Sequence, residues 1–328
     1  MGIPESADLL DSRARSSAGA LISAQTLTKR FGEFTAVDGI DFEVSRGEAF
    51  GFLGPNGAGK SSTMRMIGCV APVSSGTLRI LGMDPAANGP AIRARLGVVP
   101  QQDTLDLELT VRENLYVYGR YFGMSRSVLR PKIDELLDFA QLTERADAKV
   151  EPLSGGMKRR LTIARSLIND PEILLLDEPT TGLDPQARHV LWDRLYRLKQ
   201  AGVTLVLTTH YMDEAEQLCD RLVVMDGGRI VAEGSPRELI AAHSSREVAE
   251  LRFAPGDNAA AAAGITTAMA GVEARVEVLP DRVLLYVEDG EAAVVRVRDD
   301  AIIPVSSLVR RSTLEDVFLR LTGRSLVD

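Results

Sequence analysis

The chain has 328 residues, of which 45% are apolar and 26% are charged, as in ordinary soluble globular proteins with room for two domains. Its net charge of -8 argues against nucleic acid as the main partner. The longest apolar runs are strand-sized, far below the ~20 residues that a membrane-spanning helix needs.

Residues 1–20 are rich in Ser, Ala and charged side chains, so we expect them to form a disordered tail. Alternating apolar residues then predict three short strands, which are Leu21–Leu27, Phe34–Val37 and Ile40–Val44. A turn is predicted at Lys29–Gly32. Short strands in series indicate an antiparallel sheet beside the main core. Phe31 lies in the turn, and its position alone favours an ordinary core aromatic.

A glycine-rich loop follows the predicted strand Ala49–Leu53 and precedes a stretch with helical spacing. It reads Gly-x-x-x-x-Gly-Lys-Ser and consists of Gly54, Pro55, Asn56, Gly57, Ala58, Gly59, Lys60 and Ser61. Strand, glycine loop and helix are the context of a phosphate-binding loop, because inward N–H groups and the helix dipole both attract an anion. Lys60 supplies a charge for the phosphates, and the Ser61 hydroxyl can hold Mg²⁺. A glycine-rich turn before a surface helix is the alternative.

After this loop, two more strands are predicted, Leu78–Leu81 and Leu96–Pro100, and the second ends beside Gln101. Residues 103–150 change to helical periodicity. Helices are predicted there at Val111–Phe122, Ser127–Phe139 and Thr143–Ala148. Ser127 would cap the second of them. We interpret this region as a helical insertion that stands on the sheet domain.

Leu153–Met157 opens the next predicted helix, which carries an apolar stripe. The cations Lys158, Arg159 and Arg160 crowd its first turn, where the helix dipole disfavours positive charge. An anion that arrives from outside would explain them, and a solvated basic face is the alternative.

Two buried strands then end in polar residues. Ile173–Leu176 runs into Asp177 and Glu178, and carboxylates at the carboxyl end of a parallel strand lie where open α/β sheets bind ligands. Asp177 is placed to reach Mg²⁺, and Glu178 to orient or deprotonate a water; a charged turn is the alternative. Val203–Thr208 ends beside His210. A lone histidine is more often structural, but this position favours contact with the terminal phosphate.

The remaining pattern completes the core and then predicts a small separate module. The core elements are helices at Gln186–Gln200 and Asp213–Cys219, strands at Arg221–Met225 and Arg229–Glu233, and a short helix up to Ala242. The elements of the module are strands at Val248–Phe253, Ala274–Leu279, Val283–Val287 and Ile302–Val309, and helices at Gly290–Val297 and Thr313–Thr322. The module carries no catalytic constellation, and we interpret it as an accessory or dimerisation domain.

Together these motifs resemble the ATP-binding subunit of an ABC transporter, and the resemblance covers about Leu21–Ala242. Gly54–Ser61 matches the Walker A loop, and Ile173–Glu178 matches the Walker B strand with its following glutamate. Leu153–Met157 is similar to the signature Leu-Ser-Gly-Gly-Gln, with Met157 in place of Gln.

Four single residues match further positions of the family. Gln101 matches the Q-loop, Asp184 the D-loop and His210 the switch histidine. Phe31 falls where the family stacks an aromatic ring, usually Tyr, on adenine, and this replaces its interpretation as a core residue. The nucleotide contacts that the resemblance implies also include Ser62, Ser154, Gly155 and Gly156.

The resemblance implies a P-loop NTPase fold of the ABC ATPase type, an α/β core with a parallel sheet and an antiparallel β subdomain. The predicted domains are the ATPase domain at 21–242, with a helical subdomain at about 103–150, and a small α+β C-terminal domain at 247–328. The run Leu-Ser-Gly-Gly-Met-Lys-Arg-Arg and the segment Thr313–Phe318 look like the branch of daunorubicin-resistance and nodulation-factor exporters. Members of that branch pair with a separate membrane permease.

The resemblance also implies a mechanism. Two copies of the chain would enclose two ATP molecules with Mg²⁺, each held by Walker A of one copy and the signature of the other. The implied catalytic residues are Lys60, Glu178 and His210, and the implied metal ligands are Ser61, Gln101 and Asp177.

Hydrolysis would power export of a drug, lipid or glycolipid-like molecule. We expect the chain at the cytoplasmic face of the membrane, where the helical insertion and the Gln101 loop would dock on the permease.

Other classes remain open at this point. A DNA-repair ATPase of this family would need a long coiled coil between P-loop and signature, and a translation factor usually has two cassettes in one chain. A regulatory protein with a spent P-loop is disfavoured, because the catalytic side chains are all present. An importer ATPase stays open, because the permease sets the direction of transport.

Overall fold

The computed structural model describes residues 19–323, and the chain divides into two compact units between Glu233 and Gly234. Most of the predicted tail, residues 1–18, lies outside the described residues. Its predicted end at residue 20 differs from the structure, because Ala20 already pairs with Ser45 in the first strand. Within the described residues, no helix combines the length and the apolar composition needed to cross a bilayer.

The larger unit contains a parallel sheet, an antiparallel sheet and the helices that connect their strands. Its strands are β1 (Ala20–Phe31), β2 (Phe34–Ser45), β3 (Ala49–Leu53), β4 (Ser75–Ile80), β5 (Leu96–Val99), β6 (Ile173–Asp177), β7 (Thr204–Thr209), β8 (Arg221–Asp226) and β9 (Arg229–Gly234). Its helices are α1 (Lys60–Ile67), α2 (Pro85–Arg93), α3 (Val111–Tyr121), α4 (Arg126–Ala140), α5 (Gly155–Ser166), α6 (Pro185–Gln200) and α7 (Met212–Leu218).

The parallel sheet positions the candidate site. Its strand order is β5-β6-β7-β3-β8-β9, and β3, β6 and β7 run parallel to one another. Every residue of β3 and β7 is buried, as expected for strands that are covered on both faces. The carboxyl ends of these three strands therefore meet at one edge, where the glycine loop, the two carboxylates and the histidine follow.

The antiparallel sheet has the order β2-β1-β4, and two predictions about it are wrong. β1 continues through most of the predicted turn at Lys29–Gly32, as far as Phe31, which pairs with Phe34. β2 is one strand where the sequence predicts two, because Gly39, with a φ of 63°, makes a bulge that interrupts the alternating pattern. The two sheets pack through the rings of Phe42, Phe50 and Phe52.

The helical insertion contains two of the three predicted helices. α3 begins with a capping box between Thr110 and Glu113. The N-cap of α4 is Ser125, and the prediction of Ser127 is wrong. The stretch Thr143–Ala148 forms a short 3₁₀ turn and no α-helix. α3 and α4 pack against each other and against α5.

The C-terminal unit is a four-stranded antiparallel sheet with helices. Its strands, in the order β11-β12-β10-β13, are β10 (Glu247–Arg252), β11 (Arg275–Val278), β12 (Val283–Val287) and β13 (Ser306–Arg311). Its helices are α8 (Pro236–His243), α9 (Asn258–Ala268), α10 (Gly290–Asp299) and α11 (Leu314–Thr322). One face of the sheet packs against α9 and α10 in a core of its own, which includes Leu251, Ile265, Leu285 and Val297.

The boundary between the two units differs from the predicted one. The helix that the sequence assigns to the ATPase domain, up to Ala242, belongs to the C-terminal unit. The reason is that α8 packs against α11, where Arg320 Nη1 donates to the His243 carbonyl at 3.0 Å. The C-terminal unit therefore begins at Gly234 and not at residue 247.

A buried charged cluster connects α11 to the sheet of the C-terminal unit. Asp316 is fully buried and accepts hydrogen bonds from Arg310 Nη1 and Nη2 at 2.7 and 2.9 Å. The Tyr286 hydroxyl donates to the same carboxylate at 3.1 Å. The Thr313 N–H, at the start of α11, also donates to it, at 2.8 Å. The cluster thus attaches α11 to the sheet and also stabilises the first turn of this helix.

Candidate active site

The glycine loop connects β3 to α1 and has no space for side chains at two positions. A Cβ on Gly54 would lie 2.3 Å from the Met225 carbonyl oxygen. A Cβ on Gly59, whose φ of 100° also favours glycine, would lie 2.5 Å from the Ala36 carbonyl oxygen. The loop is therefore held close to the neighbouring strands, and its tip at Asn56 and Gly57 is exposed.

Lys60 lies on the inner side of this loop. Its Nζ donates to the carbonyls of Gly54 and Pro55, at 2.7 and 3.0 Å. It also lies 3.9 Å from Glu178 Oε1. Burial lowers the pKa of Lys60, while the charges of Glu178 and Asp177 act in the opposite direction. A buried cation thus faces two carboxylates across the edge of the sheet.

Ser61 and Asp177 form the part of the site that suits a divalent cation. The Ser61 hydroxyl donates to Asp177 Oδ1 at 3.2 Å, and the Thr208 hydroxyl donates to the same oxygen at 2.5 Å. Hydroxyl and carboxylate oxygens are the ligands that Mg²⁺ prefers, so these residues fit the predicted ion. Gln101 contacts the neighbouring carboxylate instead, since its Nε2 donates to Glu178 Oε2 at 2.9 Å.

Glu178 receives the largest number of polar contacts in the site. Its φ of 45° is left-handed and rare for a residue with a side chain. Thr181 Oγ1 donates to its Oε2 at 3.2 Å, and His210 Nδ1 lies 3.3 Å from its Oε1 without the alignment of a regular hydrogen bond. Contact with His210, and to a smaller extent with Lys60, lowers the pKa of Glu178 although burial opposes this. The carboxylate is therefore ionised and able to orient a water.

The signature lies outside this contact network and is partly exposed. Ser154 is the N-cap of α5, where its Oγ accepts from the Met157 N–H at 3.3 Å. Ser154 and Gly155 are exposed. Asp184 caps α6 by accepting from the Ala187 N–H at 2.9 Å. The N-termini of two helices are thus presented on the surface of the larger unit.

Three further residues that the sequence predicts as nucleotide contacts differ from one another in exposure. Phe31 is 51% exposed at the end of β1, with Lys29 Nζ 4.9 Å from its ring centroid. Ser62 is half-buried in the first turn of α1, and Ala58 is buried in the core. Among the described contacts, none joins the Phe31 ring to the Walker A loop, so its stacking on adenine stays a prediction.

The cations at the start of α5 bind carbonyl groups of the same chain. Lys158 Nζ donates to the Glu151 carbonyl at 2.9 Å, and Arg160 Nη1 to the Ala140 carbonyl at 2.9 Å. Arg159 is buried and also donates to main-chain carbonyls. These carbonyl contacts explain the cations without an incoming anion, and of the three only Arg159 is buried, whereas Lys158 and Arg160 stay partly exposed.

Thr208, Thr181 and Arg159 contact the site in ways that the sequence does not predict. Thr208 and Thr181 donate hydroxyl hydrogen bonds to Asp177 and Glu178, respectively. The only signal for Thr208 is its place at the end of a buried strand. Arg159 lies in the basic run after the signature and Thr181 lies in the turn before Asp184, and neither residue type indicates its partner.

Two family models match the chain. The ABC transporter model matches residues 37–181. The model described as the C-terminal domain of the nodulation factor export protein NodI matches residues 259–323. The first match includes the Walker A loop, the signature and both carboxylates, and the second lies within the C-terminal unit.

Known proteins match over nearly the whole chain. Nod factor export ATP-binding protein I of Paraburkholderia xenovorans is 49% identical over 309 residues, which are 94% of this chain and 99% of that protein. The protein of the same name from Ralstonia nicotianae is 48% identical over 312 residues, 94% of this chain and 95% of that protein. The one from Rhizobium meliloti is 49% identical over 308 residues, 94% and 89% of the two chains.

Solved structures match the ATPase region. An ATP-binding subunit of an ABC transporter aligns with a TM-score of 0.62 and 29% identity, over 68% of this chain and 92% of that chain. cbiO1 from Clostridium perfringens, part of the complex cbiONQ, aligns with a TM-score of 0.64 and 28% identity, over 68% and 91%. A dimeric ATP-binding cassette bound to ADP and Pi in a post-hydrolysis state aligns with a TM-score of 0.60 and 29% identity, over 65% and 98%.

These matches confirm the predicted P-loop NTPase fold and the ATPase class. They also confirm the more specific resemblance, because the relatives share the C-terminal segment as well as the cassette. The chain belongs to the ATP-binding subunits of ABC transporters, in the group of the Nod factor export ATP-binding protein I.

Proposed function

We propose that two copies of this chain bind and hydrolyse ATP with Mg²⁺ and drive export through a separate membrane permease. The relatives are named for export of Nod factor, and we propose a cargo of that kind, lipid- or glycolipid-like, for this chain. The observation that carries the proposal is the position of Glu178. Its ionised carboxylate is surrounded by Lys60, Gln101 and His210, next to the Ser61–Asp177 pair.

The chain's own residues account for the steps of hydrolysis. Loop N–H groups and Lys60 would bind the β- and γ-phosphates, and Ser61 and Asp177 would hold the metal ion. When bound, Mg²⁺ neutralises charge that develops on the phosphate oxygens. Glu178 would orient the attacking water and accept its proton, with Gln101 fixing the second carboxylate oxygen. His210 would brace the γ-phosphate.

A second copy of the chain would complete the nucleotide site, because among the described contacts the signature of one chain does not contact its own Walker A loop. Ser154 and the exposed N-terminus of α5 present N–H groups and a positive dipole end, which suit a γ-phosphate. We propose that they contact the nucleotide held by the partner copy. The dimeric cassette among the structural neighbours supports this arrangement. ATP would close the dimer and hydrolysis would open it.

The permease would transmit this motion across the membrane. We propose that the helical insertion, residues 103–150, docks on it together with the loop that begins at Gln101. This docking would hold the chain at the cytoplasmic face of the membrane through its partner. The loop that begins at Gln101 suits such a role because Gln101 donates a hydrogen bond directly to Glu178. A displacement of the loop would therefore change the position of the catalytic carboxylate.

The substitution Glu178→Gln tests the proposal. We expect the variant to bind ATP and to accumulate as an ATP-bound dimer in size-exclusion chromatography, with hydrolysis reduced by at least about 100-fold, because an amide cannot accept the proton of the water. Glu172→Gln is the matched control, since Glu172 lies just before β6 and its carboxylate pairs with Arg46 and Arg95. Wild-type turnover by the Glu178→Gln variant would overturn the assignment.

A further inference from the structure

Arg159, in the second turn of α5, connects three parts of the larger unit. Arg159 is only 4% exposed. Its Nε donates to the Pro179 carbonyl at 2.7 Å, and its Nη1 donates to the Pro100 carbonyl at 2.5 Å. Its Nη2 donates to the carbonyls of Asp177 and Glu178, each at 3.2 Å. One guanidinium thus binds the main chain that follows β5 and the main chain that follows β6.

The chemistry of this contact makes it a rigid one. A guanidinium is planar and presents its N–H groups in a fixed fork, so the carbonyls bound to it, which also include that of Gln101 at 3.4 Å, have fixed relative positions. The nearest acidic partner, Asp103 Oδ1, is 3.5 Å from Nη1. The main-chain carbonyls therefore provide most of the polar contacts that stabilise the buried charge. A buried cation that lost these acceptors would be strongly unfavourable, which keeps the two loops against α5.

Other side chains of α5 strengthen one half of this connection. Thr162 Oγ1 donates to Asp103 Oδ1 at 3.0 Å, and Arg165 Nη1 donates to the Thr104 carbonyl at 2.6 Å. Both contacts reach the loop after β5. Arg159 is the member of the three that also reaches the end of β6, where Glu178 lies.

The parts that Arg159 connects serve two different nucleotides under the function proposed above, on which this inference rests. Glu178 and Gln101 act on the nucleotide bound by their own chain. The N-terminus of α5, with Ser154, contacts the nucleotide of the partner copy. We propose that Arg159 is a positioning residue that couples the two shared ATP sites, because it makes Glu178 and the Gln101 loop move together with the signature helix.

The main chain of Glu178 shows where the coupling would act. The Glu178 N–H donates to the Thr208 hydroxyl at 3.0 Å, and the Glu178 carbonyl accepts from Arg159. These bonds hold both sides of a residue with a left-handed φ of 45°. Without the guanidinium, the Glu178 carbonyl keeps, among the described contacts, only the 3.4 Å bond from the Thr181 N–H. We therefore expect the carboxylate to lose its alignment with a signature that has engaged the partner's ATP.

The test is Arg159→Gln in the full chain, with hydrolysis measured against ATP concentration. We expect kcat to fall by about 100-fold, the effect of a small misplacement of a catalytic group, and the Hill coefficient to fall from above one to one. Binding of a fluorescent ATP analogue by the monomer should not change, because the Walker A contacts remain. The variant Arg159→Lys keeps the charge but not the fork of N–H groups. Its kcat and Hill coefficient should lie between those of wild type and those of Arg159→Gln.

Arg160→Gln is the matched control. Arg160 is the next residue of the same helix, and among the described contacts its guanidinium hydrogen-bonds only to the end of α4, at the Ala140 carbonyl and Gln141 Oε1. We expect its Hill coefficient and kcat to remain within about twofold of wild type. A merely structural role of Arg159 would lower the melting temperature or the active fraction of Arg159→Gln and leave the Hill coefficient above one, which would overturn the coupling.

A second measurement separates this inference from the proposed function. In the Glu178→Gln background, Arg159→Gln should weaken ATP-driven dimerisation by at least about tenfold, while Arg160→Gln should not. If Glu178→Gln alone forms no dimer with ATP, the proposed function fails. If it dimerises, and the double variant dimerises equally well, the function stands and the role of Arg159 is refuted.

Discussion

At the scale of single residues, Gly54 decides whether the phosphate-binding loop keeps its shape. The substitution Gly54→Ala places a methyl group 2.3 Å from the Met225 carbonyl oxygen, so the loop or strand β8 must shift. We expect a loss of about 1–3 kcal/mol in the free energy of unfolding, as for other overpacked sites, and weaker binding of ATP. Thermal unfolding and titration with a fluorescent ATP analogue would measure the two effects.

Gly19→Ala is the control for this substitution, since a Cβ on Gly19 meets nothing within 4 Å. It should unfold at the wild-type temperature. Equal stability of the Gly54→Ala variant and wild type would show that the loop has more space than the distance to Met225 indicates.

The sequence alone predicts which residues gather at the site but not all of their partners. Walker A, Asp177, Glu178 and His210 follow from motifs at strand ends, because a parallel sheet brings those ends to one edge. The donors Thr208 and Thr181 could not be predicted, since a hydroxyl has no motif and its partner depends on side-chain geometry. Arg159 is the clearest case, because its acceptors are main-chain carbonyls and carry no residue identity.

At the scale of secondary structure elements, the attachment of α11 to its sheet should depend on pH. Burial raises the pKa of Asp316, but hydrogen bonds from Arg310 outweigh this and hold it below its usual range. The stabilisation is therefore fully present above the unfolded pKa of about 3.9 and is lost as the pH falls through the lower folded pKa. Hydrogen exchange of β10 and β13 amides should accelerate in that acid range.

Asp316→Asn tests the same cluster at neutral pH. Removing one partner of a buried pair should cost about 3 kcal/mol and abolish the acid-dependent step in hydrogen exchange. Asp281→Asn is the comparison, since Asp281 pairs with Arg252 in an exposed ion pair that contributes little. An unchanged pH profile in Asp316→Asn would contradict the assignment of the step to this carboxylate.

Elements with a strong apolar period were predicted well, and those shaped by a single local feature were not. α2 has no predicted counterpart, because it contains Pro90 and a non-helical residue, Asn88, with φ of -122°. The predicted strand at Ile302–Val309 begins only at Ser306, and Ile303 is 76% exposed. Apolar residues alone favour a strand there, whereas pairing with β10 decides where it begins.

At the scale of the whole molecule, the two compact units have separate hydrophobic cores. We therefore expect residues 234–328 to fold as an isolated fragment, with a cooperative thermal transition in circular dichroism and dispersed amide signals in NMR spectra. A fragment that begins at residue 247 lacks α8 and should melt at a lower temperature, because α8 packs against α11.

The comparison of these fragments also tests the boundary. If both melt at the same temperature, α8 contributes nothing to the C-terminal unit, and the boundary near residue 242 that the sequence predicts would be the better one. If neither folds, the C-terminal unit depends on the rest of the chain. The expected order, with the longer fragment more stable, would assign α8 to the C-terminal unit.

The position of Lys60 has a consequence for the timing of the enzyme cycle. Its ammonium group donates hydrogen bonds to the carbonyls of Gly54 and Pro55. These bonds stabilise the shape of the loop from within. We therefore expect the loop to keep its shape between the release of product and the arrival of the next ATP. Reloading should then be limited by the nucleotide concentration, and the slow steps of the cycle should be those that move one copy against the other.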